Sequence, residues 1–147
     1  MTGTEKPATS ILLEEQPALH AVVSYLETQP ALLAAVVFGS AAAGRLRADS
    51  DLDLALLFAH DAVPDAFVAL DLRAELEHLA QRDVDLIVLN DAPTIIAFQA
   101  IKHGQVILCR DRRAYHAYVV RLITDYADFK RIRRPIEEAV IKRRIYA

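Results

Sequence analysis

The chain has 147 residues, 54% of them hydrophobic and 25% charged, which suits one domain with a real core and leaves no room for two. No apolar stretch reaches the roughly 18 to 20 residues that span a bilayer, and the opening MTGTEKPATS is polar, unlike a secretory signal, so a soluble cytoplasmic protein with no membrane partner is expected. The single cysteine, Cys109, lies in the apolar run QVILC, which excludes a disulfide framework and a Cys-rich zinc site and reads as a buried thiol.

In chain order, residues 1–10 read as a flexible lead-in. Ile11 to Glu27 has apolar residues at near-helical spacing, and Pro30 marks a break after it. Ala35 to Phe38 is a short β-branched run stopped by Gly39, which predicts a buried strand and a turn. Leu52 to Phe58 predicts the next strand, and Asp65 to Gln81 a helix with Phe67, Leu70, Leu72, Leu76 and Leu79 on its inner side. Val84 to Leu89 reads as a third strand, Pro93 to His103 as a helix with Gly104 past its end, and Gln105 to Cys109 as a short fourth strand. From Asp111 the positions Tyr115, Tyr118, Val119, Leu122, Tyr126, Phe129 and Ile132 recur every three or four residues, predicting a C-terminal helical region over 111–147 whose aromatic stripe is core; Pro135 should kink or divide it. Strands alternating with helices predict an α/β or α+β layer fold with a mixed sheet.

The net charge of −3 hides an asymmetry: residues 1–109 hold six Lys/Arg against fifteen Asp/Glu, while Arg110 to Ala147 hold eleven against five. A basic segment can meet nucleic acid or an acidic partner, although on a helix the ordinary outcome is a solvated face.

The stretch VVFGSAAAGRLRADSDLDLALLF, Val36 to Phe58, places two acids inside an apolar run. Strand alternation sets Asp51 and Asp53 on one side and Leu52, Leu54 and Leu56 on the other. Like charges that close repel unless a cation lies between them, so the pair can bind one metal ion or two. The plainer reading is the polar face of an edge strand. An EF-hand loop beginning at Asp49 is excluded, because Leu54 and His60 stand where that loop needs Gly and Glu. Upstream, Gly39 lets backbone approach a ligand and Ser40 opens a helix-favouring stretch whose N–H groups attract phosphate; the plainer reading there is an N-cap serine.

Gly39-Ser40, ten residues, then Asp51-Leu52-Asp53 resembles the signature of the DNA polymerase β-like nucleotidyltransferase superfamily. The short chain and the SDLDL context are similar to its minimal nucleotidyltransferase (MNT) branch, and Val84-Asp85-Leu86 occupies the place of that family's third acid. The resemblance implies a polymerase β-like fold with a mixed sheet flanked by helices and a long C-terminal helix. It implies that Asp51, Asp53 and Asp85 are catalytic and hold Mg2+, with ATP as co-substrate. Gly39, Ser40 and Ser50 would bind the nucleotide. Ala43 stands where MNT proteins often carry arginine, and Arg45 or Arg47 would supply that charge.

Stand-alone MNT proteins resemble the antitoxins of HEPN/MNT toxin–antitoxin pairs. The partner implied is a HEPN-domain ribonuclease toxin, with AMP moved onto one of its tyrosines, and no direct nucleic-acid substrate. Two alternatives stand beside this: an enzyme acting on a small hydroxylated substrate such as an aminoglycoside, and a non-catalytic antitoxin that masks the toxin by contact.

Overall fold

The apolar run Leu32–Phe38 forms β1, which starts three residues earlier than the sequence pattern predicts because both of its edges find partner strands. The computed structural model describes residues 16–43 and 50–146. In order they form α1 (Pro17–Leu26), β1, α2 (Gly39–Ala42), β2 (Leu52–Phe58), α3 (Ala66–Ala80), β3 (Val84–Val88), α4 (Thr94–His103), β4 (Gln105–Cys109) and α5 (Arg112–Tyr146). The predicted first helix is present from Pro17, and positions 11–15 lie outside the described residues.

The sheet order is β3-β2-β1-β4. β1 runs antiparallel to both β2 and β4, and β2 runs parallel to β3, so the sheet is mixed as expected. One face is packed by α1 and α3 on Leu52, Leu54, Leu56, Ala35 and Val37. The other carries Ala55, Leu57, Ala34 and Val36 beneath α4 and α5. Leu19, Leu26, Leu54, Leu56 and Leu76 are fully buried, each contributing about 1.5–3 kcal/mol of apolar burial. Among the described residues no polar or charged one is fully buried.

Local chemistry sets the element ends. Asp65 caps α3 by accepting a hydrogen bond from the Val68 N–H at 2.8 Å, and Gln81 closes that helix in the left-handed region at φ 54°. The Asn90 side chain clasps the end of β2, accepting from the Phe58 N–H at 2.9 Å and donating to the Phe58 carbonyl at 2.8 Å.

Four expectations are corrected. Phe67 and Leu70 point outward from α3, 80% and 57% exposed, because only its Leu72, Leu76 and Ala80 stripe meets the sheet. Pro135 does not divide the last helix, which continues through it to Tyr146; the solvent-facing Arg131 carbonyl does without an intrahelical partner. The aromatic stripe of α5 is core only in its first half: Leu122 is buried, but Phe129 is 39% and Ile132 70% exposed, because the helix outruns the sheet it packs on. Cys109 is exposed, at the end of edge strand β4.

Candidate active site

β1 ends at Phe38, which pairs with Asp53 on β2, and Asp53 in turn stands level with Asp85 on β3. Neighbouring strands lie about 4.8 Å apart and side chains alternate, so Asp53 and Asp85 project side by side from the face covered by α4 and α5. Asp53 is half-buried, whereas Asp51 and Asp85 are exposed. At Gly39 the chain turns away from the sheet with φ +67°, and a Cβ at that position would fall onto Asp53 Oδ2. The glycine is therefore required twice, by the left-handed backbone and by the carboxylate that closes against it.

Ser40 is not an N-cap. The cap position of α2 belongs to Phe38, whose side chain makes no capping bond, and Ser40 sits half-buried in the first turn. Ala41 and Ala42 anchor that turn in the core. Ser50 is half-buried immediately before Asp51. Arg45 and Arg47 lie outside the described residues.

Among the described residues the charges that bear on Asp53 are those of the other two acids. The Asp53 carboxyl is pushed above the ordinary carboxylate range, first by burial, then by the charge of Asp85, a side-chain hydrogen bond with Asp85, and the charge of Asp51. Like charge crowded onto a partly buried carboxylate is the kind of strain that a bound cation relieves. Among the described residues no three Asp, Glu, His or Cys side chains are already gathered into a cation cage. The donors are a touching pair with a third acid two residues away on the same side. All are hard oxygen ligands, the type that suits magnesium.

Two side chains that the sequence reading passed over steady this corner. Glu77 on α3 accepts a hydrogen bond from the Val84 N–H at 3.2 Å while paired with Arg73 at 3.1 Å, which fixes the start of β3 one residue before Asp85. Gln105 donates from Nε2 to the Ala42 carbonyl at 2.8 Å, tying the end of α2 to β4. The Arg-x3-Glu spacing on a helix was a readable signal for the first; nothing local marked the second. A cleft of about 360 Å3 lined by His60, Asn90, Asp91 and Arg121 opens where β2 and β3 end, and holds none of the predicted site residues. The acid pair, with its mutual repulsion, is the stronger mark of chemistry.

The family model described as polymerase beta, nucleotidyltransferase matches residues 20–113. No curated protein matches the chain. A chain from the crystal structure of a toxin–antitoxin with AMP-PNP is 25% identical at a TM-score of 0.73, over 83% of this chain and 97% of that one. A chain from a mutant of the toxin–antitoxin MntA-HpeT is 26% identical at a TM-score of 0.72, over 84% and 97%. A third, from a tri-AMPylated Shewanella oneidensis HEPN toxin in complex with MNT antitoxin, is 23% identical at a TM-score of 0.71, over 86% and 98%, a likeness of fold alone. Among the described residues no helix is long and apolar enough to cross a membrane. The family match runs from α1 to the first turn of α5 and takes in every strand of the sheet, and the chain accordingly belongs to the polymerase beta nucleotidyltransferase family.

Proposed function

We propose that the chain is an antitoxin that silences a cognate HEPN-domain ribonuclease toxin by moving AMP from ATP onto a tyrosine hydroxyl of that toxin, with Mg2+ as cofactor. The observation that carries this is the Asp53–Asp85 pair, in register on adjacent parallel strands and closed over by Gly39. The likeness to chains of toxin–antitoxin structures, one of them with AMP-PNP, supports the choice of partner and nucleotide.

In the reaction the acceptor oxygen attacks the α-phosphorus, the bond from that phosphorus to the bridging oxygen breaks, pyrophosphate leaves, and the acceptor proton passes to a base. Asp51 and Asp53 would hold magnesium on the triphosphate, and Asp85 would complete the site. Bound there, magnesium neutralises the charge that builds on the attacking and departing oxygens. Asp85, exposed on edge strand β3, would accept the proton from an incoming hydroxyl. The backbone at Gly39 and Ser40 opens the first turn of α2, whose N–H groups have no intrahelical acceptor and suit the β- and γ-phosphates. Ser50, next to Asp51, would bind the same phosphates, and Arg45 or Arg47 would supply the cation that Ala43 does not.

The test is transfer of label from [α-32P]ATP, with magnesium, to a candidate HEPN-domain partner protein. Label on a toxin tyrosine, lost with Asp53→Asn while the complex still forms, is the expected result. Label on an aminoglycoside instead would favour the small-substrate enzyme. Full protection from the ribonuclease by the Asp53→Asn variant would favour masking by contact.

A further inference from the structure

Two surfaces are left unused by the fold and by the site. The first is the far half of α5. The family match stops at residue 113, so nearly all of this helix lies beyond the matched domain. Its inner face packs Tyr115, Tyr118 and Leu122 against the sheet side of α4, and Tyr126 stacks on Phe98 with ring centroids 3.8 Å apart. The same face then runs on past the body through Phe129, Ile136 and Val140, with Ile132 beside it, all between 39% and 70% exposed. From Lys130 to Lys142 the sequence carries five cations and two acids. Those acids, Glu137 and Glu138, are each engaged one turn back by Arg133 and Arg134.

The second surface is on α3. Phe67, Val68 and Leu70 are 80%, 53% and 57% exposed. Beside them, a groove of about 460 Å3 between α1 and α3 is lined by Tyr25, Pro30, Phe58 and Val68, with Asp71 and Glu75 on its rim. From Asp61 to Glu77 the sequence carries five acids and one cation.

These surfaces complement one another: an apolar helix with basic flanks, and an apolar groove with an acidic rim. They cannot meet within one molecule. α1 and α3 cover one face of the sheet while α5 packs on the other. A helix continuing from Tyr126 to Tyr146 extends about 30 Å further along its axis, on the side of the sheet opposite the groove. We propose that the α5 overhang of one copy docks in the α1–α3 groove of a second copy, and that the second copy returns the contact. Ile132, Ile136 and Val140, one helical turn apart, are the anchors of a helix laid in a groove. Reciprocal contact closes the pair, whereas a one-way contact would propagate as a filament.

The experiment is sedimentation equilibrium of the full chain, without any partner, from 1 to 100 μM and at low and high salt. Twice the chain mass is expected at low salt, with a dissociation constant that weakens as salt rises. Ile136→Asp and Val68→Asp change exposed positions, so both fold, as circular dichroism checks, and each should weaken association at least tenfold. An equimolar mixture of the two variants contains one intact junction per mixed pair and should associate more tightly than either variant alone. A monomeric wild type, a dimer that neither variant weakens, or a mixture no tighter than its components would each overturn the proposal. So would a monomeric wild type whose two variants lose only the HEPN protein, which would give these surfaces to the toxin.

Discussion

Gly39→Ala probes the tightest point of the site. Two penalties add: alanine in the left-handed region costs about 1–2 kcal/mol, and the new methyl must displace the Asp53 carboxylate on which it falls, an overpacking cost of about 1–3 kcal/mol. A loss of about 3 kcal/mol lowers the melting temperature of a chain this long by about 6–12 °C. Thermal unfolding followed by circular dichroism at pH 7 measures it. The double variant Gly39→Ala/Asp53→Ala separates the terms, because it removes the obstructing carboxylate and leaves only the backbone strain. Corrected for Asp53→Ala alone, it should recover about half of the loss. A Gly39→Ala protein melting within about 2 °C of wild type, or a double variant whose losses simply add, would refute the geometry argued for this turn.

Asp53→Asn keeps the shape and removes the repulsion from Asp85 and Asp51; it should raise stability at pH 7 by about 0.5–1 kcal/mol while abolishing AMP transfer, and a urea titration beside a transfer assay checks both. Asn90→Ala breaks both bonds to Phe58 and should cost about 1–3 kcal/mol in the same titration. Tyr118 donates its hydroxyl proton to the Leu89 carbonyl at 3.1 Å, and burial, with the neighbouring Tyr115, pushes its pKa up to about 12. Above the ordinary tyrosine value of 10.0 the unfolded chain gives up this proton before the folded one does, so stability present below pH 10 is lost progressively toward pH 12. Tyr118→Phe should flatten that slope, part of which belongs to Tyr115, and cost about 1 kcal/mol at pH 7; urea midpoints at pH 7, 10 and 11 measure both.

The elements were legible because their periods are clean. The strand runs LDLALLF and VDLIV and the proline and glycine bracketing α4 left little choice of boundary. What failed was the assumption that every apolar residue at helical spacing faces inward. Phe67 and Leu70 follow the period of α3 yet lie beyond the arc that the sheet can cover, and Ile132 follows the period of α5 beyond the length that the body can cover. Periodicity states which residues share a face, but not how far the opposing surface extends. Cys109 failed for a related reason, since an edge strand offers fewer neighbours than its apolar run suggests. Within the candidate site the family resemblance picked out Asp53 and Asp85 but not that they stand level, which the parallel register of β2 and β3 sets. The resemblance carried no sign that Asp53 lies against Gly39, because that proximity depends on the antiparallel register of β1 and β2.

Core and site are held by one constraint. Leu52 and Leu54 on β2 and Val84 on β3 are buried on the α1–α3 side, and they hold the two strands in the register that sets Asp53 level with Asp85. A slip of one residue in β2 would drive Asp51 and Asp53 toward the packed side and bring Leu52 and Leu54 to the rim, at a cost of several kcal/mol of apolar burial. That penalty far exceeds the repulsion between two partly solvated carboxylates. The sheet can therefore force together a pair of charges that a loop would let drift apart, and the strain a cation could relieve is generated by the leucines on the other side.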